Sequence, residues 1–232
     1  MNNNYFLCYT YYGDTMVKES LYKLRKETKN YQYTLIVISK TQKLIREAYN
    51  EGIRNFGENH VNELIKKAKS LPKDIKWHMI GHIKINQVKQ LLNQNIFLIQ
   101  SIDSFNLAKK IDKESKKLNK ITNILIEVNI SNEESKYGIK EEDLINTIID
   151  ISSLSNIKIL GLMAVGTSDI DNKEGFTKLR NLFLEINKIN INNVTMQFLS
   201  MGTSNDYLTA LDCESNMIRL EAKIFESQNN SK

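Results

Sequence analysis

The residues best equipped for chemistry stand at the ends of apolar runs. Lys40 follows the segment LIVIS and precedes a stretch with helical spacing that begins near Thr41. A primary amine at the end of a buried strand is partly desolvated, which lowers its pKa and suits it to Schiff-base formation. A lysine that snorkels to solvent from a strand end gives the same local pattern. The segment LSMGTSND (199–206) gathers Ser200, Met201, Gly202 and Ser204 ahead of a helix start near Asp206. Small hydroxyls around a glycine, with N–H groups at a helix start, favour an anion such as phosphate. An N-capped loop with no ligand has the same composition. His78 and His82 invite a metal reading, but with His60, Cys8 and Cys213 they make no set with ligand spacing. No Ser–His–Asp or Cys–His arrangement stands out, and no Gly-rich nucleotide loop follows Lys40.

These residues need a frame that brings strand ends together. Short apolar runs, predicted as strands, occupy 33–39, 55–58, 77–81, 97–102, 123–130, 159–165, 197–200 and 217–225. Continuous apolar runs of this length are those of parallel strands buried on both faces. Between them the apolar residues fall into helical spacing, as in Leu44, Ala48 and Tyr49, or Phe176, Leu179, Leu182, Phe183 and Ile186. A leading helix is expected near 15–28. The count and alternation predict an α/β fold of the (β/α)8, or TIM-barrel, type. The alternative, a doubly wound open sheet, lacks its GxGxxG fingerprint. No Pro-, Gly- or Ser-rich linker divides the chain, so residues 1–226 read as one barrel and 227–232 as a frayed tail.

In such a barrel the working groups lie where strands run into the loops that follow. Read in that order, the rim presents Lys40, then Glu58, Asn59 and His60, then His82, Ser101 and Asp103, Asn129 and Ser131, Met163, the 200–204 loop, and Arg219.

Composition narrows the class. The chain has 232 residues, 41% hydrophobic and 25% charged, with a single proline, Pro72. That balance is an ordinary water-soluble one, and a chain of this length buries a core without disulfide or metal staples. Two cysteines and no CxxC point to a reducing compartment. No apolar run approaches the ~18 residues of a membrane span, and no secretory leader is visible, so a cytoplasmic protein is expected. The net charge of +5 allows a polyanion partner. The lysines, however, fall on predicted helix faces, such as Lys66, Lys67 and Lys69, and read as solvated. Nucleic acid is therefore not the expected partner.

Taken in order, several segments form a recognisable set: VISKTQ (37–42), FGENHVNEL (56–64), WHMIGHIKINQVK (77–89), IQSIDS (99–104), IEVNISNEESKYGI (126–139), GLMAV (161–165), LSMGTSNDYLTAL (199–211) and MIRLEAKIFE (217–226). Each is weak alone. Together the chain resembles the YggS/PROSC family of pyridoxal phosphate homeostasis proteins. The resemblance implies the barrel of the alanine racemase N-terminal domain without that enzyme's second domain. It implies that Lys40 matches the lysine holding pyridoxal 5′-phosphate as an internal aldimine. Arg219 matches the arginine facing the pyridine nitrogen. Ser200, Met201, Gly202 and Ser204 match the phosphate loop, and Asn59 and Met163 match residues lining the cofactor. Members of this family are generally cytosolic, mostly monomeric and without an established catalytic activity. They keep free cofactor low while maintaining its supply to recipient enzymes.

One departure stands out. The family pattern RIGxxIFG reads RLEAKIFE here (219–226), so Glu221 replaces a glycine. A carboxylate ~4 Å from a phosphate is repelled by ~4 kcal/mol at an effective dielectric near 20. Weaker phosphate binding than the family pattern implies is expected. A carrier is favoured over an enzyme. The electron-sink chemistry of this cofactor needs a protonated ring nitrogen, which an arginine disfavours. The alternative is a slow amino-acid enzyme such as a racemase, for which no strong second base is evident beyond His82 and Tyr137. A third reading is a barrel without cofactor that acts as a basic RNA-binding module.

Overall fold

A computed structural model describes residues 4–131, 133, 136–166 and 172–225, with side chains from residue 16 onward. In chain order the elements are α1 (Asn4–Glu27), β1 (Thr34–Ile38), α2 (Gln42–Asn50), β2 (Asn55–Glu58), α3 (Val61–Ser70), β3 (Lys76–Met79), α4 (Val88–Leu92), β4 (Ile96–Ile102), α5 (Phe105–Lys117), β5 (Thr122–Glu127), α6 (Glu141–Ser152), β6 (Ile157–Met163), α7 (Asn172–Ile189), β7 (Val194–Ser200), α8 (Tyr207–Asp212), β8 (Met217–Leu220) and α9 (Ala222–Phe225). The strands close into a barrel in sequence order, β1 pairing with β8 in parallel. The predicted (β/α)8 fold is the fold observed.

Alternation along each strand divides the side chains between two cores. Outward residues such as Val37, Phe56, Trp77, Ile99, Ile124, Leu162, Leu199 and Ile218 pack beneath the helices. Inward, Ile36, Leu98, Leu125, Leu160, Met163 and Met217 fill the barrel. The inward face is not wholly apolar. His78, Gln100, Ser200 and Arg219 are buried there too, from β3, β4, β7 and β8. Buried polar groups of this kind persist only when hydrogen-bonded, and that requirement shapes the site.

Several predicted boundaries shift, three of them with a clear structural setting. The last run, expected as one strand over 217–225, is a strand only to Leu220 and turns into α9 at Ala222. A short apolar run has no periodicity that separates these two forms. The leading helix begins at Asn4 rather than near 15. Its C-terminal end is anchored by Glu27, which accepts from the Tyr207 hydroxyl at 2.7 Å and pairs with Lys223 Nζ at 3.0 Å. The third strand ends at Met79, before Gly81. A Cβ at Gly81 would lie 2.2 Å from the Asn59 carbonyl oxygen, so only glycine lets the two chain ends approach this closely. The predicted frayed tail, 227–232, lies outside the described residues.

Candidate functional site

Lys40 leaves β1 on the barrel rim, one residue before Thr41, which caps α2 by accepting from the Leu44 N–H at 3.4 Å. Its side chain is exposed rather than partly desolvated, which corrects the expectation that burial tunes this amine. The strand simply ends two residues earlier, and the side chain reaches past the wall into solvent. The backbone behind Lys40 is held from outside the barrel. Lys67, on α3, donates to the Ser39 carbonyl at 2.8 Å and pairs with Glu58 at the end of β2. Lys67 is 3% exposed and Glu58 6%, so the predicted solvated lysine is a buried one. Asn59, next in the chain, is exposed on the same rim.

Arg219 projects from β8 into the barrel. Its Nη1 donates to Ser200 Oγ at 2.7 Å and its Nη2 to the Ala164 carbonyl at 2.8 Å. Burial lowers its pKa to about 10, opposed by the charges of Glu127 and Asp206, so the guanidinium stays charged at neutral pH. Register pairs Arg219 with Ile36 of β1, which sets the guanidinium and Lys40 on adjacent strands at the same end of the barrel.

The 200–204 segment divides its residues. Ser200 is fully buried, and its hydroxyl is committed to Gln100 and Arg219. Met201 packs outward beneath the helices, and its N–H donates to the Met217 carbonyl. Gly202 turns the chain with φ +98°, and a Cβ there would lie 2.6 Å from Ala210 Cβ. Ser204 Oγ accepts from the backbone N–H groups of Glu221 and Lys223, each at 3.2 Å. Those two N–H groups therefore converge on one point beside the β8 end. Glu221 is half-buried at that point. The loop is braced by Asp206, which accepts from the Thr203 N–H at 2.6 Å and the Thr203 hydroxyl at 2.9 Å. Met163 is fully buried on the inner wall.

Across the mouth, His82 Nδ1 lies 3.0 Å from Asp103 Oδ2, and its ring stacks on Tyr137 at 3.9 Å between centroids. Glu127, at the end of β5, has its pKa raised to about 7 by burial and by the nearby charge of Asp103, with Arg219 opposing. His78 and His82 do not share a site: His78 is inside the barrel and His82 on its rim. Among the described residues no group of three His, Cys, Asp or Glu side chains is placed to hold a metal ion.

Sequence reasoning did not single out Gln100, Glu127 or Lys67. For the first two the signal was present, as a polar residue inside an otherwise apolar strand run.

The comparisons agree with this geometry. The family model described as alanine racemase, N-terminal domain, matches residues 24–220. A pyridoxal phosphate homeostasis protein of Aquifex aeolicus is 38% identical over 198 residues, covering 82% of this chain and 85% of that protein. The human pyridoxal phosphate homeostasis protein is 32% identical over 232 residues, covering 93% and 84%. The structure of PipY of Synechococcus elongatus with PLP bound superposes with a TM-score of 0.80 at 28% identity, covering 90% of this chain and 99% of PipY. On the combined weight of the matched domain and these full-length similarities, the chain belongs to the pyridoxal phosphate homeostasis protein family, built on the alanine racemase N-terminal barrel.

Proposed function

We propose that this protein binds pyridoxal 5′-phosphate in its barrel mouth and acts as a carrier in vitamin B6 homeostasis. The observation that carries the reading is the arrival of an exposed primary amine, Lys40, and a buried guanidinium, Arg219, on adjacent strands at one end of the barrel. The donor set suits such a ligand. The cofactor supplies an aldehyde that condenses with a primary amine. Lys40 is the amine for that bond, and Thr41, Ser39 and Lys67 hold the backbone from which it extends. Arg219 offers hydrogen-bond donors and keeps a proton off the ring nitrogen it would face. Ser204, with the turn at Gly202 and the Glu221 and Lys223 N–H groups that donate to its hydroxyl, would hold the phosphate. Asn59 and Met163 would line the ring. Ser200 and Met201 serve in this reading from below and behind, through Arg219 and the wall.

The reading is of a non-catalytic protein. Arg219 would face the ring nitrogen and keep it unprotonated, which would weaken the electron sink that carbanion chemistry needs. The names of the relatives describe homeostasis rather than a reaction. Delivery to recipient enzymes, a monomeric state, a cytoplasmic site and a single working unit over 1–226 belong to the same proposal. Among the described residues no helix is long and apolar enough to cross a membrane.

The test is titration of purified protein with pyridoxal 5′-phosphate, followed in the visible, then borohydride reduction and peptide mapping. A new visible band, and a reduced adduct on Lys40 that is absent from Lys40→Ala, is the expected result. No band at millimolar cofactor overturns the reading. Turnover of an amino acid that depends on Lys40 would replace the carrier with the racemase alternative.

A further inference from the structure

A line of hydrogen bonds crosses the barrel interior beneath the mouth. Arg219 Nη1 lies 2.7 Å from Ser200 Oγ, and Ser200 Oγ lies 2.6 Å from Gln100 Oε1. Gln100 Nε2 lies 3.0 Å from His78 Nδ1, and His78 Nε2 lies 3.2 Å from Asn55 Oδ1. The line thus links β8, β7, β4, β3 and β2. Ser200, Gln100 and His78 are each 0% exposed.

With the Gln100 amide oxygen toward Ser200 and its NH2 toward His78, each link has one workable direction. A guanidinium donates and never accepts, so Ser200 Oγ accepts from Arg219. The serine proton is then free to go to Gln100 Oε1, an acceptor. The glutamine NH2 only donates, so His78 Nδ1 must accept. The remaining imidazole proton sits on Nε2 and donates to the Asn55 carbonyl oxygen. Each of the four links then runs donor to acceptor, and their dipoles point the same way along the line. Such chains polarise one another in a low-dielectric interior. His78 is held neutral, as the line requires, because burial and the charge of Lys76 lower its pKa to about 3.

We infer that Ser200, Gln100 and His78 are positioning residues, a one-way hydrogen-bond line that fixes the Arg219 guanidinium at the floor of the cofactor site. Arg219 has five N–H donors. The line and the Ala164 carbonyl hold one end nitrogen each, which orients the planar group and leaves donors for a ligand acceptor. This gives Ser200 a task distinct from phosphate binding. It also accounts for a glutamine in the middle of the apolar strand β4. The inference rests on the cofactor reading for its functional half and on the line's direction for its structural half.

The two halves are tested separately. In the ligand-free protein, nitrogen-15 NMR of His78 should find the proton on Nε2, unchanged over about pH 5 to 9, the range in which an ordinary histidine titrates. Gln100→Glu replaces the donor facing Nδ1 by an acceptor, and the His78 proton should appear on Nδ1. For the functional half the probe is 4′-deoxypyridoxine 5′-phosphate, which has no aldehyde and so reports ring and phosphate contacts alone. Ser200→Ala and Gln100→Leu should each weaken its binding about five- to tenfold, the worth of one hydrogen bond. The far-ultraviolet spectrum should stay that of the wild type. A proton on Nδ1 in the wild type would overturn the direction. Probe affinity unchanged within about twofold in both folded variants would overturn the positioning role. A wild type with the proton on Nε2 that binds no probe would overturn the cofactor reading, and Arg219's role with it, while the line itself stands.

Discussion

Lys67→Met removes the charge that braces the chain behind Lys40. Lys67 and Glu58 are both almost completely buried, and Lys67 also holds the Ser39 carbonyl at 2.8 Å. Methionine fills much of the same volume, so the effect of the change is electrostatic rather than a cavity. It strands the Glu58 carboxylate without its cation and leaves the Ser39 carbonyl without this donor. Removing one member of a buried ion pair costs about 3–5 kcal/mol, because the survivor stays desolvated and unpaired. In a chain of this size each kcal/mol moves the melting point by roughly 2–4 °C, so a fall of roughly 6–20 °C is expected. Urea unfolding should show the midpoint falling with the slope unchanged, as for a change in native stability alone. The double variant Lys67→Met, Glu58→Gln neutralises the stranded carboxylate and should recover most of the loss. Since Ser39 precedes Lys40, the single variant should also reduce borohydride trapping at Lys40 at a temperature where it is fully folded. A loss below about 1 kcal/mol would refute the reasoning, because it would mean the pair behaves as a solvated surface pair.

Glu221→Gly should tighten binding of pyridoxal 5′-phosphate by at least about tenfold. The full repulsion at ~4 Å is ~4 kcal/mol at a dielectric near 20, reduced here because Glu221 is only half-buried; an unchanged dissociation constant would remove Glu221 from the phosphate site. Glu127 has its pKa raised from 4.5 to about 7. The folded state therefore holds a proton that the unfolded state has released, and stability falls as pH rises from about 4.5 to 7, by up to about 3 kcal/mol. Glu127→Gln should lack this slope, measured as melting temperature against pH; equal slopes in both proteins would contradict it. His78 has the opposite sign. Its pKa is lowered from 6.5 to about 3, so the unfolded state binds the proton first and stability is lost as pH falls from about 6.5 to 3, by about 1.4 kcal/mol per unit. His78→Gln should flatten that acid limb. The two slopes oppose each other where the windows overlap, so the single variants, and not the wild-type curve alone, resolve them.

The strands were legible in the sequence because parallel strands buried on both faces show as unbroken apolar runs, as in TLIVI of β1 and IFLIQSI of β4. The rim followed from the fold, since strand ends are enough to place Lys40, Asn59, Gly202 and Arg219 together. Side-chain partners were not legible. Lys67 lies in a lysine-rich helix segment, KKAK, where nothing local separates the buried lysine from its solvated neighbours. Only the approach of the Ser39 carbonyl and of Glu58, from two other strand ends, decides it. His78 and Gln100 are 22 residues apart, and Gln100 and Ser200 100 apart, so their hydrogen bonds follow from barrel closure and not from spacing. Ser200 shows the consequence. Its neighbours in LSMGTSND make it look like a phosphate ligand. The alternation of β7 turns its hydroxyl inward, to Arg219 and Gln100, while Met201 turns outward. A motif names the residues near a ligand; strand parity decides which of them face it. On the proposed reading, the groups that would meet a phosphate are Ser204 and the two backbone N–H groups that donate to its hydroxyl, and Glu221, which contributes one of them, would also bring a negative charge that opposes it.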